Sequence, residues 1–205
     1  MAESVKFNIK NVKYAKQETT PTIKNIGYAT GFTKSADFQT QPIYGDGEKL
    51  IELASDKGLT GTLTLRTLSE AFETDNDRAL QLANNLGEIL QEDVNVFDLY
   101  LESEATYVDG TDKGKTYIRK YWYFGVTFAK PTQDLSQTED NININEWTVE
   151  LNITGKTVLD AAGTASYVDS SGRTRKAISM VAVPTDTNYE TFGATVPVVK
   201  VAAAE

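Results

Sequence analysis

The sequence YIRKYWYFGVTF, residues 117–128, alternates large apolar side chains with residues that can meet water, and EWTVELNITG, residues 146–155, does the same. A period of two in aromatic and β-branched residues is typical of a strand with one buried face. The two segments therefore predict a long antiparallel hairpin, connected by residues 131–145. Its first strand would be about 40 Å long, at roughly 3.3 Å per residue.

The faces of this predicted hairpin follow from the alternation. Tyr121 and Tyr123 fall on the face that meets water, and every second residue from Ile118 to Phe128 falls on the apolar face. Since apolar faces of strands pack inward, the apolar residues define the candidate core. The predicted core residues are Trp122, Phe124, Phe128, Trp147 and Leu151.

Further alternating segments place the chain in the mainly β class, with about eight strands and one helix. The helix is predicted over about residues 75–86, because apolar residues recur there at helical spacing and Gly87 follows as a stop signal. Thr74 or Asp75 would cap its start. The expected fold is a set of antiparallel sheets, sandwich-like or barrel-like, with this helix on its flank.

The domain organisation is simple on the same grounds. Residues 1–183 are predicted to form one β domain, which is an ordinary size for a single core. Residues 184–205 contain two prolines and end in an alanine-rich run. This composition predicts a C-terminal arm that lies outside the core.

Composition argues against several classes of function. The chain has a net charge of −9, which does not suit a surface that grips nucleic acid. It contains no cysteine and no histidine, so the commonest metal ligands and the commonest general base are missing. No segment is apolar enough for a signal peptide or a membrane span. We therefore expect no enzyme activity, no catalytic residues, no cofactor and no metal.

Other motifs favour structural roles. Asp75-Asn76-Asp77 begins like a calcium loop but lacks the glycine and glutamate that should follow, so helix capping is the favoured interpretation. Glu102 and Glu104 fall on one face of a strand, which favours a solvated surface over an acid–base pair. A small basic patch is predicted to be a subunit contact or a hairpin tip, and consists of Arg173, Arg175 and Lys176.

Residues 41–58 form the longest predicted interruption between strands, longer than the two to six residues that usually connect elements. Gln41-Pro42 breaks the preceding strand, and Gly45-Asp46-Gly47 predicts a tight turn. The middle of the segment is too apolar for a solvated loop. It is therefore predicted either to be covered by another chain or to fold back over its own sheet. The candidate subunit-interface residues are Ile43, Tyr44, Leu50, Ile51 and Leu53.

Several of these segments carry a family likeness. The sequence ADFQTQPIYGDG at residues 36–47 precedes GTLTL at 61–65, and YWYFGVTF at 121–128 precedes EWTVELNITG at 146–155. In this order, the chain from about residue 5 to residue 155 resembles the major tail proteins, or tail tube proteins, of long-tailed, non-contractile bacteriophages.

The resemblance implies a tail-tube type of fold and a structural function. Proteins of that family form hexameric rings that stack into a tube, the conduit for DNA ejection into the host. The implied partners are other copies of the chain, the tape-measure protein, and the tail terminator and distal tail proteins. DNA would only pass through, and no membrane is involved. The implied location is the virion tail, after assembly in the host cytoplasm.

Two alternatives remain from the sequence. One is the tube protein of a phage-derived bacterial injection or secretion device, which the same strand patterns would serve. The other is a surface β-sandwich that binds a ligand, such as a carbohydrate or a peptide, and stays monomeric.

Overall fold

The computed structural model describes residues 4–45, 48–76, 79–81, 88–90, 95–133 and 146–201. Its elements confirm a mainly β, antiparallel fold, with one helix in the described part of the chain. In order they are β1 (Ser4–Lys16), β2 (Ile23–Asn25), β3 (Ala29–Gly45), β4 (Glu48–Leu65), α1 (Glu70–Asn76), β5 (Ala79–Gln81), β6 (Glu88–Leu90), β7 (Phe97–Tyr107), β8 (Thr116–Phe128), β9 (Thr132–Gln133), β10 (Trp147–Ile153), β11 (Lys156–Thr157), β12 (Lys176–Ala177) and β13 (Ser179–Ala182).

One sheet dominates, with its strands in the order β2-β1-β7-β8-β10-β4-β3. The predicted hairpin between β8 and β10 is shorter than expected, because the two strands pair only from Phe128 with Leu151 to Val126 with Ile153. The first half of β8 pairs instead with β13, from Lys120 to Tyr123. The sheet therefore divides along β8, and the chain after β10 supplies one branch.

A β-bulge at Gly125 interrupts the alternation of β8. Phe97 pairs with Val126 and Leu99 pairs with Tyr123, so Phe124 and Gly125 together stand opposite Asp98. Gly125 has φ 63°, and a Cβ there would lie 2.4 Å from the carbonyl oxygen of Gly155. Only glycine suits this position. The bulge moves later side chains to the other face, so the prediction of one continuous apolar face along β8 is wrong.

Both faces of β8 are buried. Tyr121 and Tyr123, predicted to meet water, are only 8% and 2% exposed. They belong to a core cluster inside the curled sheet that also holds Phe128 and Leu151, and Trp147 packs against it partly buried. Trp122 and Phe124 are fully buried in a second cluster on the opposite face. The prediction of a wet face on this strand is wrong because the curled sheet encloses the face of Tyr121 and Tyr123. A second layer covers the opposite face, that of Trp122 and Phe124.

That second layer is the C-terminal part of the chain. Phe192 and Val199 are buried in the same cluster as Trp122. The Trp122 Nε1–H donates a hydrogen bond to the Phe192 carbonyl oxygen at 2.7 Å, and the Tyr189 hydroxyl donates to the Ile118 carbonyl oxygen at 3.0 Å. The prediction that residues 184–205 lie outside the core is therefore wrong for this packed part. Its apolar residues are few but cover an aromatic surface that would otherwise meet water.

The helix is displaced from its predicted position. It spans Glu70–Asn76, whereas the predicted helix at 75–86 begins where the observed one ends. Ser69 caps it, since its Oγ accepts a hydrogen bond from the Phe72 amide at 3.2 Å. Ala79–Gln81 form a strand, and residues 82–87 lie outside the described residues. Phe72 is fully buried and packs edge-on against Tyr14 and Phe128, which attaches the helix to the inner cluster.

The main sheet curls until its two sides approach each other. The Phe32 ring on β3 lies 5.4 Å from the Tyr123 ring on β8, although two strands separate β3 from β8 in the sheet. The Lys34 ammonium reaches the Tyr123 hydroxyl at 2.9 Å. The body of the protein is thus barrel-like, with the inner cluster enclosed and the C-terminal layer outside.

Candidate assembly surface

The outer half of the β3–β4 hairpin extends beyond the barrel-like body. β10 pairs with β4 only from Leu59 to Leu65. Beyond that point β3 and β4 continue to pair with each other, from Phe38 with Asp56 to Gly45 with Glu48. We call residues 37–45 and 48–57 the arm. In the described part of the chain no third strand pairs with it.

Gly58 marks the base of the arm. Its φ is 104°, and a Cβ at this position would lie 2.1 Å from the carbonyl oxygen of Ile153, the last residue of β10. The backbone of β4 passes this strand end too closely for any side chain. The close approach therefore fixes where the supported part of the hairpin ends and the arm begins.

The prediction of an irregular segment at residues 41–58 is wrong, because its described residues up to Asp56 belong to two paired strands. Gln41 and Pro42 lie inside β3, opposite Leu53 and Glu52. Proline is compatible with a strand at the edge of a sheet, where its missing N–H removes no ladder bond. The predicted turn at Gly45-Asp46-Gly47 leaves residues 46–47 between the paired strands, and these two lie outside the described residues.

The candidate interface residues all fall on the arm. Ile43 stands opposite Ile51, and Tyr44 stands opposite Lys49, so Leu50 lies at the register shift between these pairs. The backbone thus brings the five candidates together within one two-stranded ribbon. Their side chains lie outside the described part of the structure, and their role in an interface stays a prediction.

A ribbon of this kind needs support, and no third strand of the described part of the body supplies it. The arm is about 30 Å long, at roughly 3.3 Å per residue. A two-stranded hairpin on its own is at best marginally stable in water, and its outer edges carry backbone groups that can pair with another chain. The arm is therefore the part of the molecule best suited to a contact with a neighbour.

The sequence did not single out Asp98, which organises the centre of the body. It is 1% exposed and faces the bulge of β8. Its Oδ1 accepts hydrogen bonds from the Gln17 side chain at 2.7 Å and from the Gly125 amide at 3.2 Å, and the Lys156 ammonium lies 3.4 Å from Oδ2. A single acidic residue amid the apolar run at 96–101 was the available signal. The contacts assign it a structural role.

Glu102 and Glu104 do not form an acid–base pair. The Glu104 carboxylate accepts hydrogen bonds from Lys10 and from Asn8, which lower the pKa of this carboxyl. Glu102 accepts from the Asn11 side chain at 2.7 Å and from the Tyr100 hydroxyl at 2.6 Å. Both carboxylates therefore hold β1 and β7 together across the outer surface.

The basic patch lies at a hairpin tip. Val168 pairs with Thr174, and Asp169 accepts hydrogen bonds from the amides of Ser171 and Arg173. The Arg175 guanidinium lies 2.5 Å from Asp169, and these interactions together lower the pKa of that carboxyl. Lys176 follows in β12.

Two further features of the described residues bear on other functions. No group of three or more His, Cys, Asp or Glu side chains among them is arranged to hold a metal ion. No helix in the described part is long and apolar enough to cross a membrane.

Comparisons with known proteins add little. No protein-family model matches the chain, and no protein of curated function matches it. Among solved structures, a chain in the cryo-EM structure of the anti-feeding prophage (AFP) baseplate, 6-fold symmetrised, is similar over 69% of this chain and 86% of its own. Its sequence identity is 10% and its TM-score 0.35. A likeness of this strength carries no inference about function.

Proposed function

We propose that the chain is a structural subunit of a phage tail or a phage-derived particle, and that it self-assembles into hexameric rings stacked as a tube. The observation that carries the proposal is the arm, a two-stranded ribbon that continues beyond the body with no third strand among the described residues. The strand patterns that resemble tail tube proteins support the same function. Enzyme activity is not part of the proposal.

The arm favours assembly because a two-stranded ribbon that packs on nothing else is at best marginally stable in water. Its sequence includes Ile43, Leu50, Ile51 and Leu53, which are apolar residues on a segment that the sheet does not flank. Contact with other copies would bury apolar surface, at about 25 cal/mol per Å² of area removed from water, and would pair backbone groups along the edges. Head-to-tail contacts of this kind close into rings or continue as filaments.

The body supplies the rigid part of such a subunit. Its central strand is buried on both faces, and Asp98 ties the bulge of β8 to Gln17, directly after β1, and to Lys156. A body that is stable by itself would fold before assembly and present the arm in a constant direction. The net charge of −9 suits a wall past which DNA moves without binding, since like charges repel.

A deletion tests the proposal. Replacing Tyr44–Ala54 by a short Gly-Ser linker should leave a folded monomer with an unchanged cooperative melt, and should abolish the rings and tubes seen by negative-stain microscopy. The matched control replaces the exposed turn Gly110–Lys113 by the same linker and should still assemble. Tubes of normal appearance from the arm deletion would refute the role of the arm. An unfolded monomer would show that the arm belongs to the core.

The two alternatives are tested separately. A surface ligand-binding sandwich should remain a monomer at high concentration, so light scattering that shows stable monomers of the unaltered chain would contradict assembly. A tube of a phage-derived injection device would assemble like a tail tube. Neighbouring genes distinguish these two, since genes for capsid and DNA packaging accompany a phage.

A further inference from the structure

A groove of about 400 Å³ lies between β1 and β3, where the two sides of the curled sheet approach. Four aromatic residues form much of its lining: Phe7, Phe32, Tyr121 and Tyr123. Phe7 is 41% exposed, which is high for a large apolar residue on a strand. The groove therefore presents aromatic surface at the opening of the inner cluster.

The charge of this groove is opposite to that of the protein as a whole. Its lining includes Lys6 and Lys34 and, among the described residues, no carboxylate. The Lys34 ammonium lies 4.7 Å from the centre of the Tyr123 ring, and partial burial lowers the pKa of this lysine. In a chain of net charge −9, an aromatic groove with two cations suits an acidic, apolar partner segment.

The walls of the groove also offer backbone groups. In the described part of the chain β3 pairs only with β4, so its other edge is open where it lines the groove. Among the described strands, β1 between Ser4 and Lys10 pairs with β7 alone. The Ser103 Oγ in the lining is buried and has no hydrogen-bond partner among the described residues. An extended segment in the groove could pair with these groups.

We propose that the groove receives the arm of a second copy of the chain; this inference rests on the proposed function and names the surface that the arm meets. The arm has the required chemistry. Its residues, 37–45 and 48–57, include four acidic residues and two lysines, interspersed with apolar ones. The acidic residues are Asp37, Glu48, Glu52 and Asp56.

The groove cannot receive the arm of its own copy. β3 lines the groove with Thr30 and Lys34 and then continues without interruption into the arm, which leads away from the groove. Turning back into the groove would require a sharp bend just beyond Lys34, where β3 is paired with β4 from Lys34 with Gly61 to Ala36 with Leu59. The occupant is therefore another copy, and the contact is heterologous, since arm and groove are different surfaces.

Charge reversal provides the first test. The variant carrying Lys6→Glu and Lys34→Glu should raise the concentration needed for assembly by about tenfold or more, because two negative charges in the groove would then face the acidic arm. The matched control is Lys176→Glu, an exposed lysine near the hairpin tip, which should assemble like the unaltered chain. Adding Glu48→Lys and Glu52→Lys to the reversed groove should restore assembly. If Lys34→Glu disturbs folding, Lys6→Glu alone replaces the double variant in this test, because the Lys6 side chain is exposed.

Cross-linking provides the second test, and the absence of cysteine in the chain makes it specific. Phe7→Cys and Leu53→Cys chains, mixed and oxidised, should form a disulfide-linked dimer. Val198→Cys, at a side chain 63% exposed, replaces Phe7→Cys in the control and should give no such dimer with Leu53→Cys. If the unaltered chain never assembles, the proposed function itself fails. If it assembles, but the reversed groove has no effect and the Phe7–Leu53 cross-link is absent, only the docking site is refuted.

Discussion

The two halves of the β3–β4 hairpin share the pairing of the two strands with each other but differ in what flanks them. In the body half, β10 flanks β4, Leu63 and Leu65 are fully buried, and Val149 stands opposite Leu63. In the arm half, the same two strands continue with only each other as hydrogen-bonded neighbours among the described residues. The comparison teaches that one continuous hairpin can be supported by the sheet in one half and have no flanking strand among the described residues in the other. The second half is the one that we propose contacts a neighbour.

The local sequence marks this division. From Leu59 to Leu65, leucines and glycine alternate strictly with threonines, as expected where one face packs inside. The arm has no such alternation and instead contains a proline, a glycine and mixed charges. We therefore expect substitutions in the body to change the free energy of unfolding, and substitutions in the arm to change assembly.

The largest effect is expected at the centre of the body. Trp122→Ala should lower the free energy of unfolding by about 3–5 kcal/mol, because it empties a fully buried site and removes the hydrogen bond to the Phe192 carbonyl. Urea denaturation of the monomer measures the change. Trp122→Phe keeps an aromatic ring and should cost less. An unchanged denaturation midpoint in Trp122→Ala would mean that the C-terminal layer does not cover this face.

A matched pair of leucines tests the comparison most directly. Leu63→Ala, in the body half, should cost about 2–5 kcal/mol of unfolding free energy. Leu53→Ala, in the arm half of the same strand, should change it by less than about 0.5 kcal/mol, as for a surface position, yet weaken assembly. Denaturation and sedimentation of both variants provide the measurements. Equal losses of stability would show that the arm packs on its own body.

Acid should act on the body through Asp75. Burial works to raise the pKa of this carboxyl, but hydrogen bonds from Lys24 and Tyr14 hold it below the ordinary value. Its contribution to stability is therefore present above about pH 3.9, the ordinary pKa of aspartate, and is lost as pH falls through the lower folded pKa.

Asp75→Asn should consequently be less stable than the unaltered chain at neutral pH and should approach it in acid. Thermal melts between pH 2 and pH 7 would follow the difference between the two. If the difference in melting temperature between the two stayed constant over this range, the substitution would act through the shape of the side chain and not through its charge.

The smallest effect is expected at the junction of β4 and β10. Arg66 lies 3.9 Å from Glu146, and both side chains are well exposed. An exposed ion pair of this kind contributes little, so Arg66→Ala should cost less than about 1 kcal/mol. A double-mutant cycle with Glu146→Ala would isolate the pair. A coupling energy well above that limit would indicate that the junction is shielded from water, unlike the exposed surface described.

The candidate site was only partly predictable. Apolar residues between a proline and a glycine showed that residues 41–58 differ from both core and solvated loop. They could not show that the segment is a regular ribbon, because strand pairing depends on the partner strand and not on propensity alone. The helix prediction was wrong for a related reason. Ala79, Leu82, Ala83 and Leu86 have helical spacing, but Ser69 caps a shorter helix before them, and Ala79 lies in a strand.

By itself, the sequence determined the class of the protein, because side chains that alternate with a period of two can bury apolar surface only as strands. The burial of both faces of β8 was decided in three dimensions. It depends on the curl of the sheet around Tyr121 and Tyr123, and on a bulge at Gly125, where the Gly155 carbonyl leaves no room for a side chain. It also depends on Phe192 and Val199, which lie some 70 positions further along the chain than Trp122. The free energy of such contacts belongs to the assembled core, since no short window of sequence contains both partners.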